Sequence, residues 1–323
     1  MQTEILDYTF STDWDIKAVC SNEQFTNNLQ PDFPFIATTI SSMGSNSEER
    51  AWTDYLNGKK RGRPSDILDC FPGNLPRQAG FYLGLSSDSI LINASCASTL
   101  YAFHTATLYS LHYKKPAVVF CAENYNHNFD TWKFSSLGAL DNNTGRPFDK
   151  TSNGFKMGRS INLFLIKHPS VKFNMPSKAT IINYGFYTNN QLSTNPGTYQ
   201  DILTHIPNIN YNKIDFWNAH ATGTPIGDAV EYALFNAVIK KDAPIVSYKS
   251  HIGHNLTSSG AIEIAMSLDG KKNNVLLPNI IHGDKISNDD RIITEPTSFN
   301  YKHMLKASFG FGGKSAIAEI DLY

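Results

Sequence analysis

Short apolar runs rich in β-branched residues alternate with helix-period stretches from residue 89 to the end of the chain, and this alternation restricts the fold more than any other feature. Ser89-Ile-Leu-Ile-Asn, Ala117-Val-Val-Phe-Cys and Leu163-Phe-Leu-Ile are too short and too β-branched for helices and read as buried strands. Between the first two, Cys96 to Tyr113 carries Ala97, Leu100, Leu108 and Leu111 at helical spacing. A crossover with Pro169 and Pro176 follows from Lys167 to Ala179, and the rhythm then repeats. Thr180-Ile-Ile-Asn-Tyr, Ile214-Asp-Phe-Trp-Asn, Pro244-Ile-Val-Ser-Tyr, Lys306-Ala-Ser-Phe and Ala316-Ile-Ala-Glu-Ile read as strands, and Asp228 to Lys240 and Asn255 to Leu268 as helices. Such alternation predicts layered α/β architecture in two halves, 1–170 and 171–323. Residues 1–75, rich in Ser, Asn and Asp, read as irregular.

Composition narrows the function classes. With 323 residues, 41% hydrophobic and 12% aromatic, the chain has the material for a large core. A net charge of −1 supplies no global field toward nucleic acid or an anionic membrane. The first residues lack a basic stretch followed by an apolar one, and no apolar run matches a bilayer, so a cytoplasmic protein is expected. Cys20, Cys70, Cys96 and Cys121 show no paired spacing and read as free thiols. Lys59-Lys-Arg-Gly-Arg-Pro64 contains an Arg-Gly-Arg-Pro core like that of minor-groove binders, but a single copy on a neutral chain reads as a solvated loop or a patch for an acidic protein.

Three remote segments carry reactive side chains at strand ends, where layered α/β folds place their sites. In Asn93-Ala-Ser-Cys-Ala-Ser-Thr-Leu100, Cys96 lies between a strand and a helix start. Helix N-terminal N–H groups lower a thiol's pKa and can hold an oxyanion; a buried structural cysteine is the alternative. In Asn218-Ala-His-Ala-Thr-Gly-Thr-Pro225, His220 precedes a turn where Thr222 and Thr224 offer donors. A satisfied structural histidine is the alternative there. In Tyr248-Lys-Ser-His-Ile-Gly-His254, Lys249 and Glu263 bracket His254 as a charge pair able to position its ring, while His251 reads as exposed or structural. A metal held by His220, His251 and His254 competes, but the His-Ile-Gly-His spacing falls in a turn with no adjacent carboxylate, so no metal is expected. Gly313-Lys-Ser fails as a phosphate loop, because Ser308 stands where a glycine is required and a strand follows. Phe309 and Phe311 alternating with Gly310, Gly312 and Gly313 suit a mobile turn against a narrow apolar pocket.

Together these segments resemble the β-ketoacyl-[acyl-carrier-protein] synthases, condensing enzymes of fatty acid and polyketide assembly. Cys96 with its neighbours looks like the nucleophile segment, Ala219 to Asp228 like the first histidine loop, and Lys249 to His254 with Gly260 and Glu263 like the second. Ser308-Phe-Gly-Phe-Gly-Gly313 looks like the gating turn, and Gly145-Arg-Pro-Phe-Asp149 with Gly154 and Gly158 like the Arg-Pro-Phe-Asp stretch. The likeness covers about residues 70–323. It departs at Arg159-Ser160, where the family has Glu-Gly and a buried acid, and at Lys314-Ser315, where it has Thr-Asn. The stretch before Cys96 is short and a Gly-rich first strand is not recognisable. The resemblance implies a thiolase-like fold, two pseudo-repeated halves in five layers (αβαβα), with the N-terminal half abbreviated. It also implies a homodimer, or a heterodimer with a second ketosynthase-like subunit. It makes Cys96 the acyl carrier, His220 and His254 the stabilisers of a malonyl-derived enolate, and Lys249 and Glu263 the groups that orient His254. The N–H groups of Cys96 and Phe311 would form the oxyanion hole, Phe309 and Gly310 would belong to the gate, and Thr222 and Thr224 would bind pantetheine. Acyl carrier protein is the implied partner, and neither metal nor redox cofactor is required. A thiolase would need a second cysteine near the C-terminus, and a chain-length factor would lack the nucleophile; Cys121 is the last cysteine and Cys96 is present.

Overall fold

The computed structural model describes all residues except 40–44, 60, 61, 70, 87, 126–128, 142–144, 190–197, 207, 208, 240 and 241. Lys60 and Arg61 of the basic run, and Cys70, therefore lie outside the described residues. Ten strands form one sheet: β1 (Thr3–Ser11), β2 (Phe35–Thr38), β3 (Ser89–Leu91), β4 (Ala117–Glu123), β5 (Ser160–Lys167), β6 (Ala179–Thr188), β7 (Phe216–Asn218), β8 (Ile245–Val246), β9 (His303–Gly310) and β10 (Lys314–Leu322). Their spatial order is β3-β2-β4-β5-β1-β6-β10-β9-β7-β8. Counted within each half, both follow the order third, second, fourth, fifth, first. The directions repeat as well. β2 is parallel to β3 and β4 as β7 is to β8 and β9, and the remaining pairs in each half are antiparallel. β1 and β6 pair antiparallel and join the halves.

Helices complete five layers. α1 (Ile16–Cys20) and α2 (Asn74–Tyr82) cover one outer face, packing Val19, Leu75 and Ala79 on Phe120 and Leu163. α3 (Ser98–Tyr113) lies in the middle layer, and α4 (Tyr199–His205) and α5 (Pro225–Val238) form the other outer face with Ile202 and Phe235 against Trp217 and Ile317. α6 (Ser259–Asn273) joins α3 in the middle, where Leu100, Phe103, Ile264 and Leu268 meet Phe164 of one half and Ile320 of the other. Helices buried on two sides need apolar residues all round. The long apolar stretches of α3 and α6 answer that need.

Residues 1–75 are not irregular. β1 is the strand that joins the halves, β2 is wholly buried, and helices occupy Ser45–Leu56 and Pro64–Asp69. The strand escapes recognition because Thr3 and Asp7 are polar yet buried, and because a bulge between Ile5 and Asp7 breaks its alternation. Thr3 meets Thr107 and Tyr184, and Asp7 pairs with Lys178, so burial leaves neither without a partner. Among the described residues no helix is long and apolar enough to cross a membrane.

Candidate active site

The chain turns sharply between β3 and α3. Ser95 adopts φ +50°, an unusual value for a residue with a side chain. The turn is pinned from several sides: Asn93 accepts from the Ser95 N–H at 3.0 Å, and the Ser98 hydroxyl accepts from the Ala94 N–H at 2.7 Å while donating to the Ser95 carbonyl at 2.6 Å. Cys96 is thereby held at the foot of α3, buried and facing a cleft. The hairpin between β9 and β10 packs onto this turn so closely that a side chain at Gly310 would meet Ala94 O, Cys96 N and Ser95 Cβ, each at 3.0 Å. The N–H groups of Phe311 and of Cys96 itself act on the sulfur in the direction that favours its anion.

Burial nevertheless pushes the Cys96 thiol up to about 12, outweighing Lys249 and the two N–H groups, which pull it down. The expectation of a helix-depressed thiol is corrected: dehydration wins over the helix terminus. The resting sulfur is a neutral thiol. Alkylation of Cys96 by iodoacetamide, followed by intact mass, should rise about tenfold per pH unit through pH 9, as a thiolate-limited rate does. A plateau below pH 8 would mean a preformed thiolate.

His254 follows the turn Lys249–Ile252 and Gly253, whose φ of +73° and close approach to Met157 O admit no larger residue without strain. Its Nε2 lies 3.1 Å from Cys96 Sγ, and its Nδ1 lies 2.9 Å from the Ser259 hydroxyl at the start of α6. His220 follows β7, its ring centroid 5.4 Å from that of His254. One ligating atom from each of Cys96, His220 and His254 falls within 4.8 Å of the others. Among the described residues His220 Nδ1 has no hydrogen-bond partner. Burial, then the nearby Lys249, holds both imidazoles well below the ordinary histidine value, so they are neutral at pH 7. His251 points away, 2.7 Å from the Pro278 carbonyl, so the proposed triad of histidines does not form.

Two carboxylates of α5 hold the His220 loop. Glu231 accepts from the N–H groups of His220 (2.8 Å) and Ala221 (2.6 Å) and from the Trp217 indole (3.0 Å). Asp228 accepts from Thr222 N, Gly223 N and Phe148 N, and burial still pushes it up to about 7. The Arg-Pro-Phe-Asp stretch thus braces the loop. Glu231 was not singled out in the sequence, though two acids three apart on the inner face of an apolar helix are a signal. Glu231→Ala strands three buried donors and should lower stability by about 3 kcal/mol or more, read as a lower Tm.

Glu263 meets Lys249 at 2.5 Å, as expected of a positioning pair, and both are buried. Its other oxygen meets Lys306 at 2.6 Å, a contact the sequence reading did not foresee. Thr222 and Thr224 bond each other at 3.1 Å and line the cleft together with Cys96, His220, His254 and Phe311. Phe309 stands edge-on to His220 at 5.9 Å, and Phe311 packs on Phe134 at 6.2 Å. Arg159 is exposed, but a buried acid stands near the site in Glu123, which accepts from the Thr257 hydroxyl.

Comparison with known proteins gives a consistent result. Residues 27–171 match the model of the beta-ketoacyl synthase N-terminal domain and residues 179–282 that of the C-terminal domain. A 3-oxoacyl-[acyl-carrier-protein] synthase 2 of Mycobacterium leprae is 29% identical over 200 residues, covering 57% of this chain and 47% of that protein. A non-reducing polyketide synthase of Aspergillus terreus is 29% identical over 198 residues, 56% of this chain and 7% of that one. The chain thus spans less than half the length of these relatives. Among solved structures, a type II polyketide ketosynthase in complex with its acyl-carrier protein superposes with a TM-score of 0.78 at 19% identity, over 95% of this chain and 84% of that one. The ishigamide ketosynthase/chain length factor superposes at 0.74 and 17% identity, over 90% and 76%.

Proposed function

This chain belongs to the β-ketoacyl synthase family, and we propose that it is a β-ketoacyl-[acyl-carrier-protein] synthase that condenses an acyl group on Cys96 with a malonyl group. The observation that carries the reading is the meeting of Cys96 Sγ and His254 Nε2 at 3.1 Å, with His220 beside them, at the floor of one cleft. The Cys96 sulfur attacks the thioester of an acyl group borne on the phosphopantetheine of a carrier protein. Its proton passes by way of His254 to the departing pantetheine sulfur, and the N–H groups of Cys96 and Phe311 receive the developing oxyanion. Malonyl-carrier protein then enters past Phe309 and Gly310, its pantetheine held by Thr222 and Thr224. Its carbon–carboxylate bond breaks, carbon dioxide leaves, and the electron pair forms an enolate whose oxygen accepts from His220 and His254. The enolate carbon attacks the acyl-Cys96 carbonyl, the carbon–sulfur bond breaks with its electron pair on sulfur, and a β-ketoacyl product leaves. The Cys96 thiolate then takes a proton from solvent by way of His254, which restores the thiol. Lys249 and Glu263 orient the His254 segment. The chemistry uses neither metal nor redox cofactor, and the reading places it in the cytoplasm.

The reading includes a dimer, with an identical copy or a second ketosynthase-like subunit. Leu91 on the edge strand β3, and Leu108 and Leu111 on α3, are exposed apolar groups that such a partner would cover. Intact mass after mixing with acyl- and malonyl-carrier protein tests the activity. One acyl adduct on Cys96 that is discharged by malonyl-carrier protein is the expected outcome; an adduct elsewhere, or none, rejects it.

A further inference from the structure

Among the described residues the mechanism leaves one fully buried cation without a role. Lys306 sits inside β9 with its Nζ 2.6 Å from Glu263 Oε2, while Lys249 Nζ is 2.5 Å from Oε1. The Lys306–Glu263 contact is an ion pair out of hydrogen-bond alignment, and Lys306 donates instead to the carbonyls of Ala307 at 2.8 Å and Ala219 at 3.3 Å. Ala219 is the residue before His220, and Lys249 opens the turn that ends in His254. One carboxylate therefore carries two ammonium groups, each tied to a different histidine segment.

We infer that Lys306 is a positioning residue for the condensation: it clamps Glu263 opposite Lys249, couples the two histidine segments through that carboxylate, and keeps both rings uncharged toward the cleft. The charges around the rings are Lys249 and Lys306 against Glu263, with Glu231 bound to the His220 backbone, Asp228 bound to the following turn, and Glu123 bound to the Thr257 backbone. Burial brings Lys306 down to about 8, so it still holds its proton at pH 7. Lys306 contributes to the depression of both imidazoles, after burial and Lys249 at His254, and after burial, Lys249 and His254 at His220. An imidazolium pair would repel the two lysines and leave no neutral ring to accept the Cys96 proton. The lone Lys in the apolar run His303-Met-Leu-Lys-Ala-Ser-Phe is thus part of the chemistry's electrostatic floor.

What the rings do in catalysis rests on the condensing reading, but their charge can be measured without it. In Lys306→Met, side-chain NMR of histidine-labelled, ligand-free protein should show His220 or His254 titrating about one pH unit higher than in the unmodified protein. The acid limb of malonyl decarboxylation should move up with it, and Lys306→Arg should restore both. If the Met variant does not fold, Lys306→Met with Glu263→Gln is compared with Glu263→Gln alone, and the rise should remain. Ring titrations unchanged in a folded Met variant, with or without loss of activity, overturn the inference. A raised ring titration in a protein with no decarboxylation upholds it and rejects the condensing reading instead.

Discussion

Cys96→Ala protein is expected to take no acyl group from acyl-carrier protein, yet to continue releasing carbon dioxide from malonyl-carrier protein. Among the described residues Cys96 is the one thiol at the cleft: Cys20 is packed in the outer layer, and Cys121 is fully buried on β4. Neither sulfur lines the cleft, so neither substitutes as nucleophile. Acyl loading should therefore fall from stoichiometric to nil rather than by a modest factor. Decarboxylation needs an oxyanion site for the enolate, which the two rings supply without sulfur. Removing Sγ deletes one atom from a wall of the cleft and leaves the turn's hydrogen bonds untouched, since they run through Asn93, Ser95 and Ser98. Carbon dioxide release should stay within about tenfold of the unmodified rate. Intact mass and trapped labelled carbon dioxide read the two steps separately. An adduct that persists in the variant sinks the assignment of Cys96.

The contrast between local and non-local information decides how much of this was legible. Each reactive residue lies in the connection that follows a strand, and strands are announced by short β-branched runs. Cys96, His220 and His254 could therefore be named before any coordinates, and the hairpin turn after Phe309 could be read from its glycines. The Lys249–Glu263 pair was also visible, because both residues flank His254 within a few turns. What stayed hidden depends on burial of polar groups. β1 looks irregular because its buried Thr3 and Asp7 find partners more than a hundred residues away, at Thr107 and Lys178. Lys306 looks like an ordinary strand residue until the fold sets it against Glu263. The thiol's direction of shift was misjudged for the same reason: a helix start is local, whereas the enclosure that dehydrates Cys96 is built from both halves of the chain.

Replacing the two histidines separates their duties, because only one of them touches the sulfur. His254 Nε2 is 3.1 Å from Cys96 Sγ, whereas His220 faces Phe309 and the His254 ring. His254→Ala should therefore slow both acyl transfer and decarboxylation, and His220→Ala should slow decarboxylation alone. Each lost donor should lower carbon dioxide release on the order of 10²–10³. The double variant should lose less than the product of the two, since both rings serve one oxygen. The depressed imidazoles give a further sign to check. Groups held well below the ordinary histidine value stay neutral as pH falls through 6.5, so the unmodified protein should keep its decarboxylation rate from pH 7 to pH 6. Single-turnover acylation and carbon dioxide release, measured side by side, decide the matter. Equal slowing of acylation in both variants would mean that proton transfer from Cys96 is shared, and the one-sided geometry around the sulfur would then have no kinetic meaning.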